Sequence, residues 1–141
     1  MAFIEVELQL NVDEVNGLID KLLSISSGSA SSLYEMLGSK AEQLVLSGFA
    51  EETSPYGKPW ASRAFDDRPD PILIKSRDMI EGFSYNATAK DVVLGTPAEY
   101  ATYHQTGTDK MVDRKMLPDT GKPSKNWEQN LYLTLSNWLE I

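Results

Sequence analysis

The chain has 141 residues, of which 41% are hydrophobic and 24% charged, and this composition fits a single folded domain over residues 1–141. The net charge of -8 disfavours a protein that binds nucleic acid by neutralising phosphates, and it favours protein partners. The absence of cysteine excludes disulfides, thiolate metal sites and cysteine nucleophiles. We also expect no membrane span, because no apolar run approaches about 18 residues, and no signal peptide, because the N-terminus alternates Glu with apolar residues.

The N-terminal part of the chain predicts a strand followed by a helix. Apolar and polar residues alternate from Ile4 to Leu10, which indicates a strand over residues 2–10 with one buried face. Apolar residues at helical spacing then predict a helix over residues 12–24, with Asn11 as its cap. Residues 24–32 are mainly Ser, Gly and Ala without apolar periodicity, and we expect a flexible connection there.

A long second helix is predicted from about Ser32 to about Glu52. Ser32 and Glu35 form a capping-box pattern at its start, and an apolar stripe follows at helical spacing. Gly38 and Gly48 interrupt this pattern, since each costs about 1 kcal/mol relative to Ala in an exposed helix interior. Either the helix is discontinuous or close packing requires the two glycines.

The middle of the chain predicts a loop and a hairpin. Four prolines between Ser54 and Pro71 exclude a regular element, so we expect a loop. Residues 72–83 begin as an extended segment, with a possible short helix over residues 76–81. Two β-prone runs, residues 83–88 and 91–96, flank the dipeptide Ala89-Lys90 and predict an antiparallel hairpin.

The C-terminal part predicts two helices separated by a second long loop. Residues 98–105 can form two helical turns closed by Gly107, and residues 106–124 are polar and loop-like. Ser124 is the predicted cap of a terminal amphipathic helix. The predicted fold is α+β: a small antiparallel sheet, a long helix from the N-terminal half and a C-terminal helix packed on one face, and two long loops.

His104 is the only histidine in the chain, and it is the natural starting point for any catalytic hypothesis. A lone histidine beside Tyr100 and Tyr103 on a helical turn is more often a hydrogen-bonded structural residue than a base. No nucleophile-elbow pattern selects a serine partner for it, and no acidic loop has calcium-binding spacing. We therefore expect no catalytic residue, no metal site and no cofactor, while a small hydrolase using His104 stays open as an alternative.

Three motifs in the second half of the chain carry a resemblance to a known family. The first is the run Ser54-Pro55-Tyr56-Gly57-Lys58-Pro59-Trp60, which follows the long helix. The second is Gly95 after a strand, followed by Tyr100-Ala101-Thr102-Tyr103-His104-Gln105-Thr106-Gly107. The third is Arg114-Lys115-Met116-Leu117-Pro118. In this order and spacing they resemble the phage virion morphogenesis, or tail-completion, proteins of contractile-tailed and Mu-like phages.

Two departures from the family pattern accompany this resemblance. Lys115 and Met116 stand where the family usually has Pro and Phe, and residues 76–79 replace a usual Thr-Gly-x-Leu turn. The motif residues have a physical sense as scaffold or interface. Gly57 permits a tight turn, Pro59 stiffens it, and Trp60 can anchor it through a large buried area. His104 and Gln105 can brace loops as hydrogen-bond donors and acceptors.

The resemblance implies a non-enzymatic structural protein of the virion tail or neck, which assembles in the host cytoplasm. It implies a homo-oligomeric ring, a hexamer because such tails have six-fold symmetry, and neighbours such as a tail terminator, a tail tube or a head-tail connector. Two alternatives remain at this point: the small hydrolase and a monomeric protein-binding regulator.

Two further expectations concern the surface of such a ring. The loops at residues 54–71 and 106–124 are long for a small domain, so we expect them to be mobile in the free protein and to order against neighbouring subunits. If DNA passes through the ring, acidic residues suit its lining because they repel phosphates. Glu5 and Glu7 on the predicted first strand are candidates.

Overall fold

A computed structural model describes residues 12–61, 78–97, 101–109, 112–119 and 121–141. The described residues contain the helices α1 (Val12–Ser26), α2 (Ser31–Glu51), α3 (Asp78–Gly82), α4 (Ala101–Thr106) and α5 (Lys125–Leu139), and the strands β1 (Ser84–Ala87) and β2 (Val92–Gly95). The predicted α+β class is confirmed. The strand predicted at residues 2–10, and with it Glu5 and Glu7, lies outside the described residues.

The two strands form the predicted antiparallel hairpin. Ser84 pairs with Gly95 and Ala87 pairs with Val92, and the connection includes the predicted Ala89-Lys90 dipeptide. The Thr88 hydroxyl accepts hydrogen bonds from the backbone N–H groups of residues 90 and 91, which closes the turn. Two strands alone are marginally stable, and α2 packs against both of them.

A glycine permits the close contact between α2 and the hairpin. A Cβ atom at Gly38 would lie 2.3 Å from Cδ2 of the Tyr85 ring, well inside van der Waals contact. The Tyr85 hydroxyl donates to Oε2 of Glu35 at 3.1 Å, and Glu35 lies about one turn before Gly38 on α2. This bond also raises the pKa of Tyr85, because the nearby carboxylate disfavours the phenolate. The long helix is therefore continuous, and close packing explains its glycine at position 38.

The start of α2 differs from the sequence prediction. The helix begins at Ser31 with Ala30 in the N-cap position, and no side chain caps it. Ser32 is inside the helix, where its hydroxyl accepts a hydrogen bond from Nε1 of Trp138 at 3.0 Å. The backbone N–H of Ala30 donates to the carbonyl of Ala89 in the hairpin turn. Tertiary contacts thus fix this helix start, and the predicted Ser32–Glu35 capping box is wrong.

Helices α2 and α5 run antiparallel and define two ends of the molecule. At one end Trp138 of α5 meets Ser32 of α2, and at the other Trp127 of α5 joins Phe49 of α2 in the core. The 21 residues of α2 place these ends about 30 Å apart. The main core lies at the Phe49 end and consists of Val45, Phe49, Trp60, Phe83, Ala101, Met116 and Trp127.

Helix α1 lies at the Trp138 end. The Lys21 ammonium donates to the carbonyl of Trp138 at 2.6 Å and sits 5.5 Å above the centre of its ring. After α1 the chain turns through Gly28, at φ +71°, and the N–H of Ser29 donates back to the carbonyl of Ser24. The predicted flexible connection is instead a hydrogen-bonded turn. Over the described ranges no helix is long and apolar enough to cross a membrane.

Candidate functional site

The first motif forms a tight turn directly after α2. An isolated bridge joins Thr53 to Pro59, and the N–H of Ser54 donates to the carbonyl of Lys58 at 2.8 Å. Gly57 adopts φ +82°, a left-handed conformation that glycine accepts without strain. Pro55 is buried beneath this turn, while Gly57 and Pro59 are on its surface. The motif therefore builds a small rigid turn at the Phe49 end of the molecule.

Trp60 attaches this turn to the core and to the third motif. Its side chain is 7% exposed, and its ring meets Phe49 edge to face at a centroid distance of 5.4 Å. Its indole N–H donates to the carbonyl oxygen of Lys115 at 2.9 Å. The same residue thus fills the core with its ring and fixes the loop at residues 112–119 with its polar edge.

Gln105 of α4 is the main brace of that loop. Its Nε2 donates to the carbonyl of Leu117 at 2.6 Å, and its Oε1 accepts from the N–H groups of Met116 at 2.8 Å and Leu117 at 3.1 Å. One side-chain amide therefore satisfies three backbone groups that have no strand or helix partner. Ala101, one turn before, is buried in the core, and Gly107 ends α4 at φ +76° with its N–H bonded to Tyr103.

His104 and Arg114 join the second motif to the third. The N–H of Arg114 donates to the carbonyl of His104 at 2.6 Å, and Nε of Arg114 donates to the carbonyl of Ala61 at 2.9 Å. His104 is half-buried, and burial lowers its pKa, with a further contribution from the positive charge of Arg114. The imidazole is therefore neutral at physiological pH.

A second group of bonds ties the first motif to the start of α5. The Tyr56 hydroxyl donates to the carbonyl of Lys122 and accepts from the N–H of Asp119 at 2.8 Å. The Ser124 hydroxyl donates to the carbonyl of Pro55 and accepts from the N–H of Trp127, and so caps α5 as predicted. Within these ranges both long loops are bonded to each other. Their described parts therefore make intrachain contacts, and the mobility of the loops in the free protein stays a prediction.

Lys115 provides the electrostatic contact of this region. Its ammonium lies 3.0 Å from Oδ1 of Asp119 and 3.9 Å from Oδ2 of Asp113. The hydrogen bond from Lys115 holds the pKa of Asp119 below its usual value. Such partly exposed pairs contribute little stability, so the backbone bonds of Trp60 and Gln105 are the stronger determinants of the loop.

The structure brings most of the predicted site residues together. Residues of all three motifs meet at the Phe49 end: Pro55, Gly57, Pro59, Trp60, Ala101, His104, Gln105, Gly107 and Arg114. Gly95 lies at the end of β2 and belongs to the hairpin, and Tyr100 is outside the described residues. Sequence reasoning missed the bridging role of Tyr56, the carbonyl of Lys115 and the second bond of Ser124. Of these three contacts, only that of Tyr56 had a signal in the sequence, namely its position inside the first motif.

A shallow groove of about 270 Å³ opens beside this cluster. Tyr56, Lys58, Trp60, Val112 and Lys115 contribute to its lining. The described part of the chain contains no group of three or more His, Asp or Glu residues that could hold a metal ion. The cluster is a hydrogen-bonded surface whose groove is lined by both apolar and charged side chains.

The fold and the braced motifs define a small α+β protein with a rigid loop surface. The model of the phage virion morphogenesis family matches residues 10–128, a range that includes all three motifs. The chain belongs to this family, and it is a bacteriophage protein of virion morphogenesis. No curated protein and no solved structure matches the chain significantly.

Proposed function

We propose that the chain is a non-enzymatic structural subunit of the phage virion, which completes the tail and joins it to the head. The observation that carries this proposal is the family match over residues 10–128, together with the use of the motif residues as loop braces. Trp60, Gln105 and Arg114 use their polar groups to hold backbone carbonyls in place. Residues committed in this way position a surface.

The subunits form a homohexameric ring at the head-proximal end of the tail. Six-fold symmetry of the tail favours this number, and closed rings are built from head-to-tail contacts between unlike surfaces. The neighbours of the ring are a tail terminator, a tail tube or a head-tail connector. The net charge of -8 supports a ring that DNA can cross without adhering to its wall.

The test is to locate the protein in particles and to remove it from them. Imaging of purified virions with a tagged subunit should show six copies at the neck or the proximal tail end. Infection with phage lacking the protein should yield full heads and separate tails, and supplying the protein should restore joined particles. Joined, infectious particles formed without the protein, or a monomer in assembled virions, would contradict the proposal.

His104 separates this function from the hydrolase alternative. A His104→Gln subunit keeps a neutral hydrogen-bonding side chain, and it should fold and support joining at the wild-type level. Its melting curve at pH 7.5 shows whether the fold is retained. A soluble, folded His104→Gln protein that fails to support joining would oppose the scaffold role, and a hydrolytic turnover abolished by this substitution would favour an enzyme.

A further inference from the structure

Helix α1 carries an apolar surface that the described part of the chain leaves uncovered. Ile19, Leu22 and Leu23 are 46%, 49% and 60% exposed. These residues share one side of the helix, and Leu18 and Ile25 extend the same apolar arc. We call Ile19, Leu22 and Leu23 the α1 face. A contiguous apolar face of this kind usually marks a contact with another molecule.

The way in which α1 is held turns this face outward. Lys21, on the opposite side of the helix from Ile19, contacts both the carbonyl and the ring of Trp138. Lys21 thus joins the helix to α5, while Ile19 and Leu23 lie on the side of the helix away from that contact.

The charges beside the α1 face are acidic. Asp13 and Asp20 are exposed on α1, and Glu140 follows α5 at the same end with its side chain 83% exposed. Lys21 lies 3.8 Å from Glu140 and is engaged with Trp138. Two α1 faces brought together would therefore place acids against acids, which disfavours a symmetric contact between identical faces.

The opposite end of the molecule presents a surface of the complementary kind. Tyr56 and Val112 are 42% and 49% exposed beside the groove. Lys58, Lys122 and Lys125 surround the Tyr56 turn and are exposed, and among the described residues none of them is in an ion pair with a carboxylate. Lys125 also stands in the first turn of α5, where the helix dipole disfavours a cation.

Carboxylates also lie at this end, although none of them is within 4 Å of the ammonium groups of Lys58, Lys122 or Lys125 in the described residues. Asp113 and Asp119 are both within 4 Å of the single ammonium group of Lys115, which compensates one of their two negative charges, and the charge of Lys122 also acts on Asp119. Glu51 and Glu128 are exposed on α2 and α5, and Glu51 lines a pocket together with Ser54 and Pro55 of the turn. The three lysines together with Tyr56 and Val112 form what we call the Tyr56 surface.

We propose that the α1 face of one subunit packs on the Tyr56 surface of a second copy of the same chain. The two surfaces lie at opposite ends of the α2–α5 pair, about 30 Å apart, so the contact joins unlike surfaces and repeats from copy to copy. This contact would be the one that joins neighbouring subunits of the proposed ring, so the inference rests on the proposed function. Asp13, Asp20 and Glu140 then approach Lys58, Lys122 and Lys125.

The chain contains no cysteine, so single cysteines can be placed on either surface. Leu22→Cys and Val112→Cys replace side chains that are each 49% exposed, and Tyr132→Cys, at a side chain 70% exposed on α5, is the control. Each variant is purified, checked by its melting curve, and treated with a short bismaleimide at high protein concentration. An equal mixture of Leu22→Cys and Val112→Cys should give a covalent dimer at least tenfold more abundant than either variant alone.

The controls decide which surface is used. Mixtures containing Tyr132→Cys should give only the background level of dimer. Leu22→Cys that crosslinks equally well to itself would show a symmetric α1 contact and overturn the proposal. A Leu22→Cys thiol that is unreactive in dilute protein would show that the same chain covers the α1 face, which would also overturn it.

A charge exchange tests the contact independently. Asp20→Lys should reduce the mixed crosslink at least fivefold, and Lys122→Glu in the partner variant should restore most of it. If virions that carry both Leu22→Cys and Val112→Cys in every subunit hold the ring at the neck yet give no crosslink, this inference fails while the proposed function stands. A mixed crosslink in solution from a protein that is absent from virions would support the contact and contradict the proposed function.

Discussion

The contact between α2 and the hairpin can be tested by adding one methyl group, through Gly38→Ala. A Cβ at this position would lie 2.3 Å from Cδ2 and 2.7 Å from Cγ of Tyr85. The ring cannot move away without cost, because its hydroxyl is bonded to Glu35 on the same helix. The substitution should therefore separate β1 from α2 or force the ring off its position.

Two opposing effects set the magnitude. Overpacking of this kind costs about 1–3 kcal/mol, and the short distance places it toward the upper end. Replacing Gly by Ala in a helix interior returns about 1 kcal/mol. The net loss in the free energy of unfolding should be about 1–2 kcal/mol, which corresponds to a decrease in Tm of roughly 3–8 °C for a chain of this length.

Urea unfolding followed by circular dichroism measures this difference, and Gly17→Ala is the matched control. A Cβ at Gly17 meets no atom within 4 Å, so the same substitution in α1 should be neutral or stabilising by up to about 1 kcal/mol. In a Tyr85→Ala background, Gly38→Ala should lose its cost. A Gly38→Ala protein as stable as the wild type, or an equal cost in both backgrounds, would refute the packing argument.

Three other predictions concern the motif cluster. Gln105→Ala removes three hydrogen bonds to the backbone of the third motif and should lower the free energy of unfolding by about 2–3 kcal/mol in urea titrations. A loss below about 0.5 kcal/mol would contradict the role of Gln105 in holding this loop. Ser124→Ala removes both the α5 cap and the bond to Pro55 and should cost about 1–2 kcal/mol by the same assay; an unchanged midpoint would show that water replaces the hydroxyl. The folded state holds the pKa of His104 below 6.5, so the unfolded chain takes up a proton at higher pH than the folded chain does. The free energy of unfolding should therefore decrease as the pH falls from 7.5 through 6.5, and it should decrease less in His104→Gln. Parallel plots of stability against pH for the two proteins would refute this.

Local patterns were sufficient for most of the elements. The hairpin followed from two β-prone runs around Ala89-Lys90, and the start of α5 followed from Ser124 before an apolar helical face. The start of α2 did not follow, because Ala30 is held by the hairpin turn and Ser32 is used by Trp138. These partners are distant in sequence, and no local capping pattern contains them.

The candidate site could likewise be predicted from the sequence only in part. The motifs located the residues, and the geometry of Gly57 and Gly107 follows from glycine's access to positive φ. The atoms that those residues contact could not be predicted, since Trp60 and Gln105 bind backbone carbonyls that any residue at positions 115 and 117 would supply. The α1 face was also hidden in the pattern, because an apolar stripe alone does not distinguish a core contact from an exposed one.

The bonds of the motif cluster span long stretches of chain, and this affects the order in which the protein can fold. Trp60 and Lys115 are 55 residues apart, Arg114 and Ala61 are 53 apart, and Ser124 and Pro55 are 69 apart. Helix α2 and the hairpin can form from nearer segments, whereas these bonds require closure of a long loop and therefore follow later. During synthesis the Tyr56 turn gains its partners at residues 119–124 only after those residues have left the ribosome. A nascent chain thus lacks the complete Tyr56 surface until residues 119–124 are free to bond to the turn.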